Sequence, residues 1–90
     1  MAERLTRQLI EKILKQDLSD IERIAKEYDI PKIWVYAILH CDLIGVNVVD
    51  IMKAIQSELL EIEDTLPARE KGNQVQGIVS DFLINKDEQR

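Results

Sequence analysis

An all-α fold follows from three features of this 90-residue chain. Apolar residues recur at i, i+3, i+4 and i+7 over most of its length, the spacing that gathers them on one side of a helix. Capping residues and breakers punctuate that rhythm at helix-length intervals. The one stretch with strand-like composition, Ile33–Leu39, meets no breaker before Gly45, and the resulting 14-residue span 31–44 is long for a strand and ordinary for a helix. The expectation is a compact bundle of about five helices in one domain, 1–90. A chain this short buries only about 60–65% of its unfolded surface, so it needs tight packing or self-association. With 46% apolar and 32% charged residues it is too apolar to be disordered. Aromatics are confined to Tyr28, Trp34, Tyr36 and Phe82, which leaves the core to Ile, Leu and Val.

The first helix is predicted over about 2–16. Leu5, Leu9, Ile10, Ile13 and Leu14 share a face, and Arg4, Arg7, Glu11, Lys12 and Lys15 fall off it. A polar face of both signs suits packing on the chain's own core better than lying on a membrane surface. Ser19, with Glu22 three residues on, reads as a capping box opening a second helix, 19–28, whose inner side is Ile21, Ile24, Ala25 and Tyr28. Pro31 pushes Ile30 out of the α region and suits the first turn of a third helix, 31–44. Gly45 is its expected left-handed cap.

Asn47 is expected to cap a fourth helix, 47–64, with Ile51, Ile55, Leu59, Ile62 and Leu66 along one side and Val48, Met52 and Leu60 broadening the stripe. Glu58, Glu61, Glu63 and Asp64 lie near its C-terminal end, unfavourably for the helix dipole, and read as a solvated acidic face. "TLPAREKGN", 65–73, carries Pro67 and Gly72 and reads as the connector. Asn73 and Gln76 then cap a last helix, 74–85, with Val75, Ile78, Val79, Phe82 and Leu83 inward. A connector of that length lets the last helix cross to a neighbouring chain in a swapped dimer.

The formal charge of −5 is unevenly spread. Residues 1–32 hold seven Lys/Arg and seven Asp/Glu, whereas 33–90 hold five against ten. Between Ile33 and Leu66, Lys53 alone faces six acids. A nucleic-acid binder replaces phosphate counterions with a basic patch, which that half does not supply. The single cysteine, Cys41, forms no intramolecular disulfide and fits a reducing compartment. The start, "MAERLTRQLIEK", has no secretory h-region, and the longest apolar run, Ile33–Leu39, is far short of the ~20 residues that span a bilayer. A cytoplasmic protein without a membrane partner is expected.

Residues 24–38 resemble the helix-turn-helix family. Ala25 stands where the family has a small residue at the helix crossing, and Ile24, Tyr28, Ile30, Val35 and Ile38 stand at its apolar positions. Asp29 replaces the usual turn glycine and tolerates the left-handed conformation better than most residues. The likeness covers about 20 residues, 21–41, and carries no catalytic signature. It implies that the second helix of the pair enters the major groove. The positions that touch bases then fall on Lys32, Ile33, Tyr36, Ala37 and His40, and base readout rests on Arg, Lys, Asn or Gln, of which only Lys32 is present.

The segment Ile33–Ile44 is apolar at ten of twelve positions, which predicts a helix covered on all sides by its neighbours or by a second chain. Ile33, Tyr36, Ala37 and His40 have the spacing of a helix-packing seam, so the expected interface is protein, formed by these four residues with Phe82. In the alternative, a DNA-binding regulator, Arg4, Arg7, Arg23, Lys26 and Lys32 grip phosphates. "HCD" at 40–42 does not make a metal site, because consecutive helical residues point about 100° apart and zinc wants more ligands. The three glycines are scattered and form no phosphate loop. The expected function is a non-enzymatic, homo-oligomeric regulatory or assembly module that binds itself, as a dimer, or another protein, with no cofactor, metal or small-molecule substrate.

Overall fold

The computed structural model describes residues 5–62 and 67–88. Among them the chain forms α1 (Arg7–Leu14), α2 (Ile21–Tyr28), α3 (Lys32–Ile44), α4 (Val48–Ile62) and α5 (Ala68–Glu88), with no strand. The all-α bundle read from the periodicity is the observed fold. Its helix ends are set by side chains and special backbone angles that take over the groups a helix leaves unpaired.

Thr6 starts α1, its hydroxyl accepting from Leu9 N–H at 3.2 Å. Residues 5 and 6 therefore precede the helix, and Ala2, the expected start, lies outside the described residues. Leu5 is still buried, and its N–H donates to Gln56 Oε1 of α4 at 3.0 Å, which ties the N-terminal segment to the bundle. The expected Ser19 cap is replaced by Asp20, whose Oδ1 accepts from Arg23 N–H at 3.2 Å. Ser19 is already committed: its hydroxyl and N–H both donate to Asp17 Oδ1, at 2.7 and 3.1 Å. Those bonds, first the hydroxyl and then the amide, hold the Asp17 carboxyl below its usual range.

Two left-handed residues close α2 and α3. Asp29 adopts φ 53°, ψ 51°, and Ile30 N–H reaches back to Ala25 C=O at 3.0 Å. Gly45 adopts φ 74°, ψ 29°, and Val46 N–H reaches Cys41 C=O at 3.2 Å. Both ends thus use the same left-handed closure, as the sequence predicts at each. Asn47 caps α4 as expected, its side chain accepting from Asp50 N–H and donating to Asp50 Oδ2.

The connector is shorter than predicted, and its expected second half is helix. Pro67 C=O accepts from Lys71 N–H at 2.9 Å, so α5 starts at Ala68, and Gly72 and the Asn73–Gln76 pair lie inside it. The run Ala-Arg-Glu-Lys after Pro67 consists of strong helix formers, which outweigh the ~1 kcal/mol cost of one interior glycine. Residues 63–66, with Glu63 and Asp64 of the expected acidic face, lie outside the described residues. With Ala68–Asn73 helical, the nine-residue span proposed to carry the last helix to a neighbour does not exist; α5 packs on α3 and α4 of its own chain.

The bundle is centred on α3, which packs against α2, α4 and α5, while α1 lies on α4. Ile10, Ile13, Ile24, Ile38, Met52, Ile55, Leu59, Val75 and Val79 are at 0 or 1% exposure, and no polar or charged residue is buried among the described residues. Each such side chain contributes about 1.5–3 kcal/mol by leaving water. Asp20→Ala should lower the unfolding free energy by ~1 kcal/mol, and Ser19→Ala, which removes no helix cap, by less than about 0.5 kcal/mol. Urea denaturation followed by circular dichroism measures both.

Candidate interaction surface

The two sides of α3 differ sharply in cover. Ile33, Trp34, Ala37, Ile38 and Cys41 are at 0–2% exposure within a single chain. Ile33 and Ala37, two of the expected interface residues, therefore belong to the core and offer no surface to protein or DNA. Tyr36 and His40 are half-buried. Phe82 is half-buried in a crevice between α4 and α5 that Glu58, Ile78 and Asp81 also line, and it packs on the core.

What α3 leaves uncovered is a different stripe. Lys32, Tyr36, Leu39 and Leu43 follow i, i+4, i+7, i+11 and fall within an arc of about 60° at 100° per residue. Exposure rises along it: Tyr36 and Leu39 are half-buried, and Leu43 is 74% exposed, with Ile44 beside it at 46%. The open seam is thus rotated from the predicted one by about 80°, close to a single residue step. Pattern alone does not choose between them, because a helix apolar nearly all round contains every stripe. The choice is made by where α2, α4 and α5 land.

At the N-terminal end of this stripe lies an open groove between α2 and α3. Its floor is Ala25, Ile30 and Pro31, and its rim is Glu22, Lys26 and Lys32. Lys32 Nζ stands 3.3 Å from Glu22 Oε1 across that rim. At the other end α3 carries no basic residue in its last turn, and Asp42 is exposed.

The described basic residues assigned to phosphate contacts stand among carboxylates. Arg4 lies outside the described residues. Arg7 pairs with Asp50 at 3.3 Å, and Arg23 with Asp20 at 3.2 Å and Glu27 at 3.6 Å. Lys26 and Lys32 share the groove with Glu22. Each of Arg7, Arg23 and Lys32 thus already has a carboxylate near it, which reduces the positive potential available to a polyanion.

The chemistry in "HCD" is dispersed as the helix geometry requires. Cys41 points into the core, where burial pushes its thiol up to about 11. His40 Nε2 and Trp34 Nε1 are shielded from solvent without a hydrogen-bond partner among the described residues. No three His, Cys, Asp or Glu of the described residues are grouped so as to hold a metal ion, and no described helix is long and apolar enough to cross a membrane. No protein-family model matches the chain, and neither does any curated protein or solved structure.

The raised Cys41 thiol has a definite consequence for stability. The unfolded chain loses this proton near pH 9.0, the folded chain only near 11. The neutral thiol's contribution is complete below the lower value and is lost as pH climbs through the upper one. Chemical denaturation between pH 8 and 11 should show stability falling in that window, less steeply in Cys41→Ala. Ellman's reagent at pH 8 should label the native thiol only at the rate of unfolding.

Proposed function

We propose that this chain is a non-enzymatic protein–protein interaction module, a small homo-oligomeric regulatory or assembly protein of a reducing, cytoplasmic compartment. It binds through the outer face of α3, Tyr36, Leu39, Leu43 and Ile44. One observation carries the reading: in a bundle that buries nearly all its large apolar side chains, Leu43 stands 74% exposed at the end of an apolar stripe. Leucine with that exposure next to half-exposed isoleucine marks a contact surface when it continues a packed helix face. Leu60 at 48% and Ile84 at 55% lie on other helices.

The DNA-binding alternative has less in its favour. Two of the positions that touch bases in the helix-turn-helix family, Ile33 and Ala37, are consumed by the core, and the chain is acidic overall. A duplex is held by cations that displace its counterions, and Arg7, Arg23 and Lys32 stand beside carboxylates.

Titration of a labelled duplex at 50 and 200 mM salt, beside a hydrophobic-dye titration, separates the two. The interaction reading expects no steeply salt-dependent duplex binding, and dye binding that Leu39→Asp/Leu43→Asp removes. Tight duplex binding that collapses between those salt concentrations would sink it. Leu43→Lys is informative too. In a free helix end a cation here should add about 0.3–1 kcal/mol, so a loss of thermal stability that appears only at high protein concentration would mean Leu43 is covered by a partner.

A further inference from the structure

Resting on that reading of the α3 face, we infer that its occupant is a second copy of this chain, docked antiparallel so that Leu43 of each enters the α2–α3 groove of the other. Knob and hole lie on the same side of one helix. Leu43 and Lys32, which forms one wall of the groove, are eleven residues apart, about 20° in rotation and roughly 17 Å in rise. A two-fold axis through the helix face between Tyr36 and Leu39 brings Leu43 of one copy opposite Lys32 of the other, and does so twice. This is the self-complementary arrangement that a two-fold contact requires.

Shape and charge agree with that register. The groove measures about 440 Å³ and has an apolar floor of Ala25, Ile30 and Pro31, room for one leucine side chain. Its rim carries Lys26 and Lys32 against Glu22, a net positive charge on a chain of −5. The approaching end of the other helix brings the negative pole of a helix with no cation in its last turn. Antiparallel docking sets these opposite charges together; parallel docking sets the two negative poles side by side. A contact built on one 13-residue helix and one groove is small, so the dimer is weak and concentration-dependent rather than permanent.

Sedimentation velocity over a range of protein concentrations reads the association directly. The chain should shift from monomer to dimer, and Leu43→Asp should weaken the dimer by about 30-fold, as loss of a central anchor does. Lys32→Asp, which sets a carboxylate against the negative pole of the other helix, should weaken it. Register is read by crosslinking: Lys32→Cys mixed with Leu43→Cys should form a disulfide-linked heterodimer faster than Leu43→Cys alone forms a homodimer. The buried Cys41 stays out of the exchange. A chain that stays monomeric at millimolar concentration overturns the inference, as does preferential 43–43 crosslinking. Either result leaves the duplex and dye measurements to decide separately whether the α3 face is an interaction surface at all.

Discussion

The structure depends on covering α3. A helix apolar at ten of twelve positions from Ile33 to Ile44 is unstable in water on any side, and α2, α4 and α5 are arranged largely to shield it. α2 covers one flank after the left-handed turn at Asp29, α4 another after the matching turn at Gly45, and α5 returns to close a third. Those two left-handed residues are the means by which a short chain wraps its own centre. Each lets the next helix start within a few residues of the last and fold back onto it, and so keeps the connections short.

Three flanking helices do not enclose a fourth completely, and the shortfall is local. The N-terminal half of α3 is enclosed except along Lys32, Tyr36 and Leu39, and the C-terminal turn emerges with Leu43 and Ile44 in water. The same geometry leaves the groove at the α2–α3 junction, where the chain has just turned and no third element crosses. Excess apolar surface at one end and a recess at the other are thus two results of one packing arrangement. The charges follow a similar division: Arg7 of α1, Arg23 of α2 and Lys32 at the start of α3 stand beside Asp50, Asp20, Glu27 and Glu22, while the last turn of α3 has exposed Asp42 and no cation.

Most of the fold was legible residue by residue. The α1 stripe, the left-handed turns at Asp29 and Gly45, the Asn47 cap and the buried Ile51, Ile55 and Leu59 of α4 stand where periodicity and capping chemistry put them. Leu60, expected to broaden the α4 stripe, is instead 48% exposed because it sits on the turn's outer side, and Leu66 lies outside the described residues. The departures have local causes. Ser19 resembles a cap, but its hydroxyl is held by Asp17 and the role passes to Asp20, one residue closer to the helix. Gly72 resembles a breaker, but the strong helix formers ahead of it and the packing of Val75 and Val79 carry α5 through it. Local signals of this kind compete, and the more favourable tertiary contact decides among them.

For the open face of α3 the division is sharper. The sequence alone determined that the third helix is too apolar to stand free, because composition fixes how much surface must leave water. It did not determine which side would remain open, since a nearly uniform apolar helix has no preferred face of its own. Only the tertiary structure decided that: the placement of α2, α4 and α5 consumes Ile33 and Ala37 and leaves Tyr36, Leu39 and Leu43, because neighbours cover a helix by direction and not by residue type.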